Sequence, residues 1–504
     1  MNDNALPSFE EIIAQIPANG RLFGSDVPSG FERMDVIRFD ALALWGLPQD
    51  FRERFVPISY WSADQERLLA VIYQEAEPSE IGLGISKVGL GIIGRDEHGR
   101  YRPFAHQKSF PSARAAEDAL RGNNGRDALG LTPKFPTLDD QPQGTDLFSP
   151  IKGVKALHPA FEYLRDGITQ RAAKELLTEL SKWVPDLDGN LARDFQTTGY
   201  SARVWELYLL FAFREMNFRV ANEHSTPDFH LAKGGNDVFV EATTVNSADP
   251  MAAGILRGKM PQRPEDIWQF IEGEMPLKFG SPLHSKMAKR YWEQSHVRGK
   301  PFVMAIADFH GPGSMIWSHT AIPVYLYGRS ANVTYDEHGQ VHGVEKTVDT
   351  FAKGDTSIIP FFDQPDVEHV SAVLSSNAGT ISKFNRMGVR AGFGDRFVRL
   401  QRSGGWHDPQ PDAFEAISFE FDIEDPQYRE DWSDELALYH NPNALRPIDD
   451  DLFPGITHFR IENGEAIWRG PAPRVLYSTT ITLDLLGRER ETGLSKPRRR
   501  RAKK

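Results

Sequence analysis

The chain has 504 residues, which is enough for two to four domains at about 150 residues each. Hydrophobic residues make up 40% and charged residues 25%, as in globular proteins, so wholesale disorder and collagen-like repeats are excluded. There is no cysteine, which excludes a disulfide scaffold, a cysteine nucleophile, iron–sulfur clusters and thiolate zinc sites.

The formal net charge is −12, and its distribution is uneven. The last nine residues, KPRRRRAKK, include seven basic ones, and the remaining body has 51 basic and 70 acidic residues, a net charge of −19. An acidic body repels nucleic acid unless positive charge is concentrated locally. The tail is one such concentration, and both a solvated, disordered terminus and a nucleic-acid contact are open interpretations.

No targeting or membrane segment is recognisable. The start, MNDNALPSFEEIIAQI, has no basic region followed by an apolar one. The most apolar run, 204–213, is ten residues long and contains Glu206, whereas a membrane helix needs about 20 apolar residues. These features predict a soluble, cytoplasmic protein that does not bind membranes.

Residues 1–150 are predicted to form an N-terminal α+β domain of unknown role. Short β-rich runs occur at 68–73, 82–85 and 89–93, and a hairpin loop is expected at 95–100. The Gly-x-Gly pairs in two of these runs are not followed by a helical pattern, so strands are favoured over a phosphate-binding loop. The Gly-, Asn- and Pro-rich stretch 122–150 predicts a linker.

Residues 151–320 are predicted to form an α/β core. Apolar periodicity predicts helices over 158–183 and 202–216, and strands follow at 219–220, 229–231 and 238–245. An insertion is expected at 251–280, then a helix at 283–294 and a buried strand at 301–307. Residues 321–490 predict a mixed α/β C-terminal region with short strands such as 416–421, and residues 491–504 a basic disordered tail.

The stretch 199–246 contains the candidate chemistry. Pro227-Asp228 precedes a Gly235-Asn236-Asp237 turn and a strand in which Glu241 interrupts otherwise apolar residues. Because side chains alternate along strands, Asp228 can lie next to Glu241 across the hairpin. Two carboxylates within about 4–5 Å repel each other unless a cation lies between them, and oxygen ligands suit Mg²⁺ or Mn²⁺. Glu206, on the preceding helix, is placed to contribute through a metal-bound water.

This pattern resembles the PD-(D/E)XK nuclease superfamily, which has the restriction-endonuclease-like fold. In that family an acidic helix precedes a hairpin that carries Pro-Asp and then (Asp/Glu)-x-Lys. Pro227-Asp228 and Glu241 match these elements with twelve residues between the acids, and Glu206 takes the position of the helical glutamate. The resemblance covers about residues 160–310 and implies a central mixed sheet flanked by helices, with α+β regions on both sides.

One family position differs. The family's lysine, which orients the attacking water and stabilises charge on the phosphate, is Thr243 here, and threonine has no positive charge. Some members place the lysine on a following helix, where the candidates are Lys286 and Lys289, predicted to share one helix face. We predict Lys286 as the catalytic lysine, together with Glu206, Asp228 and Glu241, the last two being the metal ligands.

Each of these residues also has a structural interpretation. Glu206 can form a helical ion pair with Arg203, Asp228 can shape a turn, and the lysines can belong to a solvated helix face. Glu241 needs a partner or a metal, because it is an acid on a buried strand. The histidines noted at His224, His230, His284, His296, His310 and His319 have no zinc-site spacing, and no GxSxG or GxxxxGK[ST] motif occurs.

The leading hypothesis is a Mg²⁺- or Mn²⁺-dependent endodeoxyribonuclease in restriction, phage defence or repair. The resemblance implies DNA as substrate, a homodimer for cutting two strands, and partner proteins of a defence or repair system. One alternative is a catalytically inactive nuclease fold that binds nucleic acid or protein, which Thr243 favours. A glycosidase that uses two of the carboxylates is a further alternative.

Overall fold

The computed structural model describes residues 30–47, 51–63, 65–75, 88–96, 98–121, 144–186, 189–221, 224–249, 266–311, 313–335, 341–410 and 416–487. Outside these ranges lie the predicted basic tail, the predicted strand at 82–85, most of the predicted linker and the first half of the predicted insertion, 251–265. The described residues form helices and several sheets, one of which combines parallel and antiparallel strands, and this confirms the predicted mixed α/β class.

The strands are β1 (Glu32–Met34), β2 (Phe55–Ala63), β3 (Leu68–Glu75), β4 (Val88–Arg95), β5 (Tyr101–Phe110), β6 (Arg219–Ala221), β7 (Phe229–Lys233), β8 (Asn236–Asn246), β9 (Phe302–Phe309), β10 (Arg329–Tyr335), β11 (Val341–Thr347), β12 (Phe351–Lys353), β13 (Thr356–Ile358), β14 (Ala372–Ser376), β15 (Val398–Trp406), β16 (Ile417–Asp422), β17 (Leu436–His440), β18 (Thr457–Glu462), β19 (Glu465–Arg469) and β20 (Val475–Asp484).

The α-helices are α1 (Val36–Ala43), α2 (Phe51–Arg54), α3 (Ala113–Arg121), α4 (Pro159–Asp166), α5 (Arg171–Ser181), α6 (Leu191–Gln196), α7 (Tyr200–Glu215), α8 (Ile267–Gln269), α9 (Met275–Met287), α10 (Met315–Ser318), α11 (Ala321–Tyr327) and α12 (Ile381–Arg390). A π turn, Phe270–Glu274, joins α8 to α9, and short 3₁₀ helices include Ile168–Gln170, Tyr291–Glu293 and Asp450–Leu452.

The chain divides into two compact units. The first comprises residues 1–150, 176–192 and 213–237, and the second comprises 151–175, 193–212 and 238–504. The second unit therefore combines parts of the predicted core, 151–320, with the predicted C-terminal region, 321–490.

In the first unit, an antiparallel sheet runs in the order β1-β2-β3-β4-β5. Its core consists of buried strand residues, such as Leu90 and Ile92, against which helix α3 packs Ala116 and Leu120. Gly89 lies inside β4, where an added Cβ would meet the Tyr73 ring at 2.4 Å, so this glycine serves close strand packing. The interpretation of this segment as a strand is thus confirmed. Strands β6 and β7 pair antiparallel in the same unit.

In the second unit, six strands follow one another in the order β19-β18-β17-β14-β9-β8. Strand β9 runs parallel to both β8 and β14, and every residue of β9 is buried, as its continuous apolar sequence predicts. Smaller sheets pair β10 with β11, β12 with β13, and β15 with β16 and β20.

Two helix predictions need correction. The helix predicted over 158–183 is divided, because Gly167 is extended at the end of α4 and an added Cβ there would meet the Tyr163 carbonyl at 2.5 Å. The helix predicted over 283–294 instead spans 267–287, including the part of the predicted insertion at 267–280. Pro276 and Pro282 interrupt the sequence signal of this helix. Its buried face nevertheless has an apolar residue at every fourth position: Ile271, Met275, Phe279, Leu283 and Met287.

Candidate functional site

Glu241 is a buried acid in the middle of β8. Its side chain is 3% exposed, and the strand register places it beside Met304 of β9. A carboxylate in such a position must be paired to offset the cost of leaving water. Its Oε1 atom accepts a hydrogen bond from the Tyr291 hydroxyl at 2.5 Å and forms an ion pair with Lys286 Nζ. Thr243, two residues further along β8, is half-buried.

Lys286 lies in the last turn of α9, where the apolar face of the helix packs into the core of the second unit. Helix α9 ends at Met287, and Arg290 adopts a left-handed conformation with φ 46°, after which Tyr291 is buried. The lysine and the tyrosine thus both reach Glu241. Lys289 lies beyond the helix end and is exposed, so the expectation that the two lysines share one helix face was wrong.

Glu206 lies on α7 and is half-buried. Arg203 Nη1 contacts Glu206 Oε2 at 2.7 Å, and Arg203 Nη2 contacts Asp194 Oδ2 at 2.8 Å. Burial, with the nearby Glu241 charge, raises the pKa of Glu206, while Arg203 and Lys286 act in the opposite direction. Glu206 therefore forms the helical ion pair and also interacts electrostatically with Glu241 and Lys286.

The position of α7 is set by the residue before Glu206. Trp205 is fully buried, and its indole nitrogen donates a long hydrogen bond of 3.4 Å to the Ala305 carbonyl on β9. Gly379 allows close approach of this ring, because an added Cβ would lie 2.6 Å from it. This packing holds the Glu206 backbone against the sheet.

The structure thus brings together three of the four predicted site residues in the second unit: Glu206, Glu241 and Lys286. Asp228 belongs to the first unit, where it is exposed and immediately precedes β7. Its role as a metal ligand stays a prediction. The cluster of Glu206, Glu241 and Lys286, called the acid–lysine cluster below, contains two carboxylates and one cation.

The two carboxylates of the acid–lysine cluster offer oxygen atoms, the ligand type that Mg²⁺ or Mn²⁺ prefers. Burial is the largest cause of the raised Glu206 pKa, and the Glu241 charge adds to it. A divalent cation between the two carboxylates would relieve their repulsion, so Glu206 and Glu241 are the residues of the cluster that would hold such an ion.

Two participants were not predicted from the sequence. Tyr291 contacts Glu241 although they are 50 residues apart, and no local pattern marks a buried tyrosine as an acid's partner. Asp194 lies on α6 and shares Arg203 with Glu206. An acid nine residues before a basic residue, with a helix break between them, carries no recognisable signal.

The Tyr291 hydroxyl should have a measurable effect on stability. Replacing Tyr291 by phenylalanine removes a hydrogen bond to a buried carboxylate and leaves the ring in place. We expect the free energy of unfolding to fall by about 1.5–3 kcal/mol, the usual range for hydrogen bonds to charged groups. Urea denaturation of wild type and Tyr291→Phe measures the difference, and Tyr163→Phe, which removes the hydroxyl of an exposed tyrosine from the neutral partner Thr169, serves as the matched control. An unchanged midpoint in Tyr291→Phe would contradict the contact.

Two cavities of about 450 and 440 Å³ also occur in the second unit. Neither is lined by any residue of the acid–lysine cluster, but Asp308 lines both. Asp308 is buried at the end of β9, and its Oδ1 atom lies 2.7 Å from His310 Nδ1. The cavities therefore mark a surface separate from the predicted chemistry.

Among the described residues, two groups of side chains could hold a metal ion, and neither includes the acid–lysine cluster. One group consists of His440, Asp450 and His458, and the other of Asp366, Glu368 and His369. In the first group, His440 and His458 lie on different strands and are 18 residues apart, so spacing alone does not identify them.

Within the part of the chain that the structure describes, no helix is sufficiently long and apolar to cross a membrane.

Compared with protein-family models, with curated proteins and with solved structures, the chain gives no match.

Proposed function

We propose that the protein is a metal-dependent nuclease that hydrolyses phosphodiester bonds of DNA, with the acid–lysine cluster at its active centre. The observation that supports this most directly is the ion pair between Lys286 and Glu241. A lysine delivered by a following helix compensates for Thr243, the position at which the sequence departs from the PD-(D/E)XK pattern.

The order of elements also supports the proposal. Helix α7 is followed by β6, β7 and β8, then by α9 and β9, and the crossover leaves β8 and β9 parallel. This is the order expected of the restriction-endonuclease-like fold, which we propose for this region. The chain order of the acid-bearing helix, the strand with Glu241 and the lysine-bearing helix supports this proposal.

In the proposed reaction, Glu241 and Glu206 would hold Mg²⁺ or Mn²⁺, which would supply an activated water and neutralise charge on the phosphate. Lys286 stabilises the negative charge that develops on the phosphate oxygens. Asp228 is proposed as a further ligand on the sequence pattern alone. Metal dependence distinguishes this reaction from glycoside hydrolysis, which needs only two carboxyl groups.

Cleavage assays test the proposal. Plasmid, linear and single-stranded DNA and RNA are incubated with Mg²⁺, with Mn²⁺ and with EDTA. We expect cutting of DNA only with metal, and at least a hundredfold loss in Glu241→Gln and in Asp228→Asn. Glu465→Gln, on the exposed face of β19, is the matched control and should cut like wild type.

The outcomes are separable. Circular dichroism and thermal unfolding establish that each variant is folded before its activity is compared. Equal cutting with EDTA would refute metal dependence, and full activity in Glu241→Gln would refute the assigned centre. If the folded wild type cuts nothing but binds DNA equally with and without metal, the inactive binding module replaces the nuclease.

That second candidate has one observation in its favour. Glu241 Oε1 already accepts from both Lys286 and Tyr291, and such pairing also stabilises a fold that performs no chemistry.

A further inference from the structure

The connection between the parallel strands β17 and β18 brings two histidines and an aspartate together. His440 is the last residue of β17, His458 is the second residue of β18, and Asp450 begins the 3₁₀ helix between them. Both imidazoles are buried, whereas the Asp450 side chain is 30% exposed. A solute can therefore reach the group from the aspartate side.

The spacing of the three ligand atoms matches a metal site. His440 Nε2 lies 3.0 Å from His458 Nδ1, and Asp450 Oδ1 lies 3.3 Å from His458 Nδ1 and 3.5 Å from His440 Nε2. Tetrahedral zinc with bonds of about 2.0–2.1 Å has ligand atoms about 3.3 Å apart. The three atoms thus form one face of a tetrahedron of the required size.

The hydrogen bonding of His458 leaves its Nδ1 atom as the nitrogen that can bind a metal. Its Nε2 atom lies 3.0 Å from the Phe453 carbonyl oxygen, which can only accept, so Nε2 carries the proton. The Nδ1 lone pair is then directed toward His440 and Asp450. A backbone carbonyl that fixes the tautomer is the usual support of a metal-binding histidine.

Two arginines hold the carboxylate in place. Arg460 Nη2 forms an ion pair with Asp450 Oδ1, and Arg469 Nη1 lies 3.8 Å from Oδ2. Carboxylates that bind metals are commonly hydrogen-bonded in this way by a surrounding shell. The added positive charge weakens binding of any cation, which favours an ion with strong affinity for imidazole over Mg²⁺.

We propose that His440, Asp450 and His458 bind one zinc ion, with the fourth coordination position open to water. The ion would fasten the connection 441–456 to β17 and β18. The site is independent of the proposed nuclease function. It shares no residue with the acid–lysine cluster, and two of its three ligands are histidine nitrogens.

Metal titration of the full-length protein tests the proposal. Chelator-treated protein is titrated with Zn²⁺ by calorimetry and with Co²⁺ by visible absorption. We expect one ion per chain, the intense visible bands of four-coordinate Co²⁺, and a higher melting temperature with Zn²⁺. His440→Gln and His458→Gln should each weaken binding at least tenfold.

The control is His369→Gln, which removes the histidine of the other candidate group, Asp366, Glu368 and His369. It should bind Zn²⁺ like wild type. The proposal would be overturned if wild type did not bind Zn²⁺. It would also be overturned if both His440→Gln and His458→Gln bound Zn²⁺ like wild type, or if only His369→Gln lost binding. If circular dichroism shows that a histidine variant is unfolded, Asp450→Asn provides the same test at a half-exposed position, and unweakened binding by it would overturn the proposal.

Discussion

Replacing Lys286 by methionine should reduce metal-dependent DNA cleavage by about 10²–10³-fold, the usual cost of removing a group that stabilises transition-state charge. Methionine retains the length and apolar stem of lysine but has no charge. Lys286 forms an ion pair with Glu241, and Thr243 cannot substitute for it because threonine has no positive charge. Single-turnover cleavage of linear DNA at saturating Mg²⁺ measures the loss in the chemical step.

Lys289→Met is the matched control for this prediction. It removes the same charge three residues away on the same segment, from an exposed position past the end of α9. We expect its rate to remain near that of wild type, and Lys286→Arg to retain part of the activity. Equal losses in the two methionine variants would show that the positive charge of the segment matters, and not the ion pair with Glu241.

Replacing Glu430 by glutamine should lower the free energy of unfolding by about 3–5 kcal/mol, the cost of breaking a buried ion network. Glu430 is fully buried and lies 2.8 Å from Lys383 Nζ and 2.6 Å from Arg386 Nη2. The Tyr428 hydroxyl also donates to it at 2.7 Å. Without the carboxylate charge, two buried cations lose their compensation.

The same network predicts a pH dependence. Arg386 and Lys383 hold the pKa of Glu430 well below its ordinary value despite burial. A carboxyl whose pKa is depressed on folding contributes stability above its unfolded pKa, and this contribution is lost as the pH falls toward the folded value. Wild type should therefore lose stability below about pH 4.5, and Glu430→Gln should lose less over the same range.

Glu424→Gln is the control for the Glu430 measurement. Glu424 pairs with Arg399 at 2.5 Å, but both side chains are about 40% exposed. A surface ion pair contributes about 0–1 kcal/mol, so urea denaturation should show a small change. If Glu430→Gln were no more destabilising than Glu424→Gln, the buried network would not stabilise the fold as its geometry indicates.

The sequence alone was sufficient to predict those strands and helices in which apolar residues recur with the period of the element. The apolar run before Asp308 predicted the fully buried strand β9, and the interrupted run around Glu241 predicted β8. These predictions succeed because burial of a strand or a helix face depends on the local spacing of apolar residues. The same periodicity could not locate the start of the helix that ends at Met287, because Pro276 and Pro282 conceal it.

Only the tertiary structure decided which side chains meet. The sequence favoured Lys286 over Lys289, and only the structure shows that α9 ends at Met287, between the two lysines, and that Lys286 pairs with Glu241. Tyr291, and the pairing of His440 with His458, could not be predicted. Contacts between residues far apart in the chain depend on strand register and on where helices end, and neither leaves a periodic trace in the sequence. Glu206, Glu241, Arg203 and Lys286 could therefore be named from the chain, while the contacts of Tyr291 and Asp194 were set by packing.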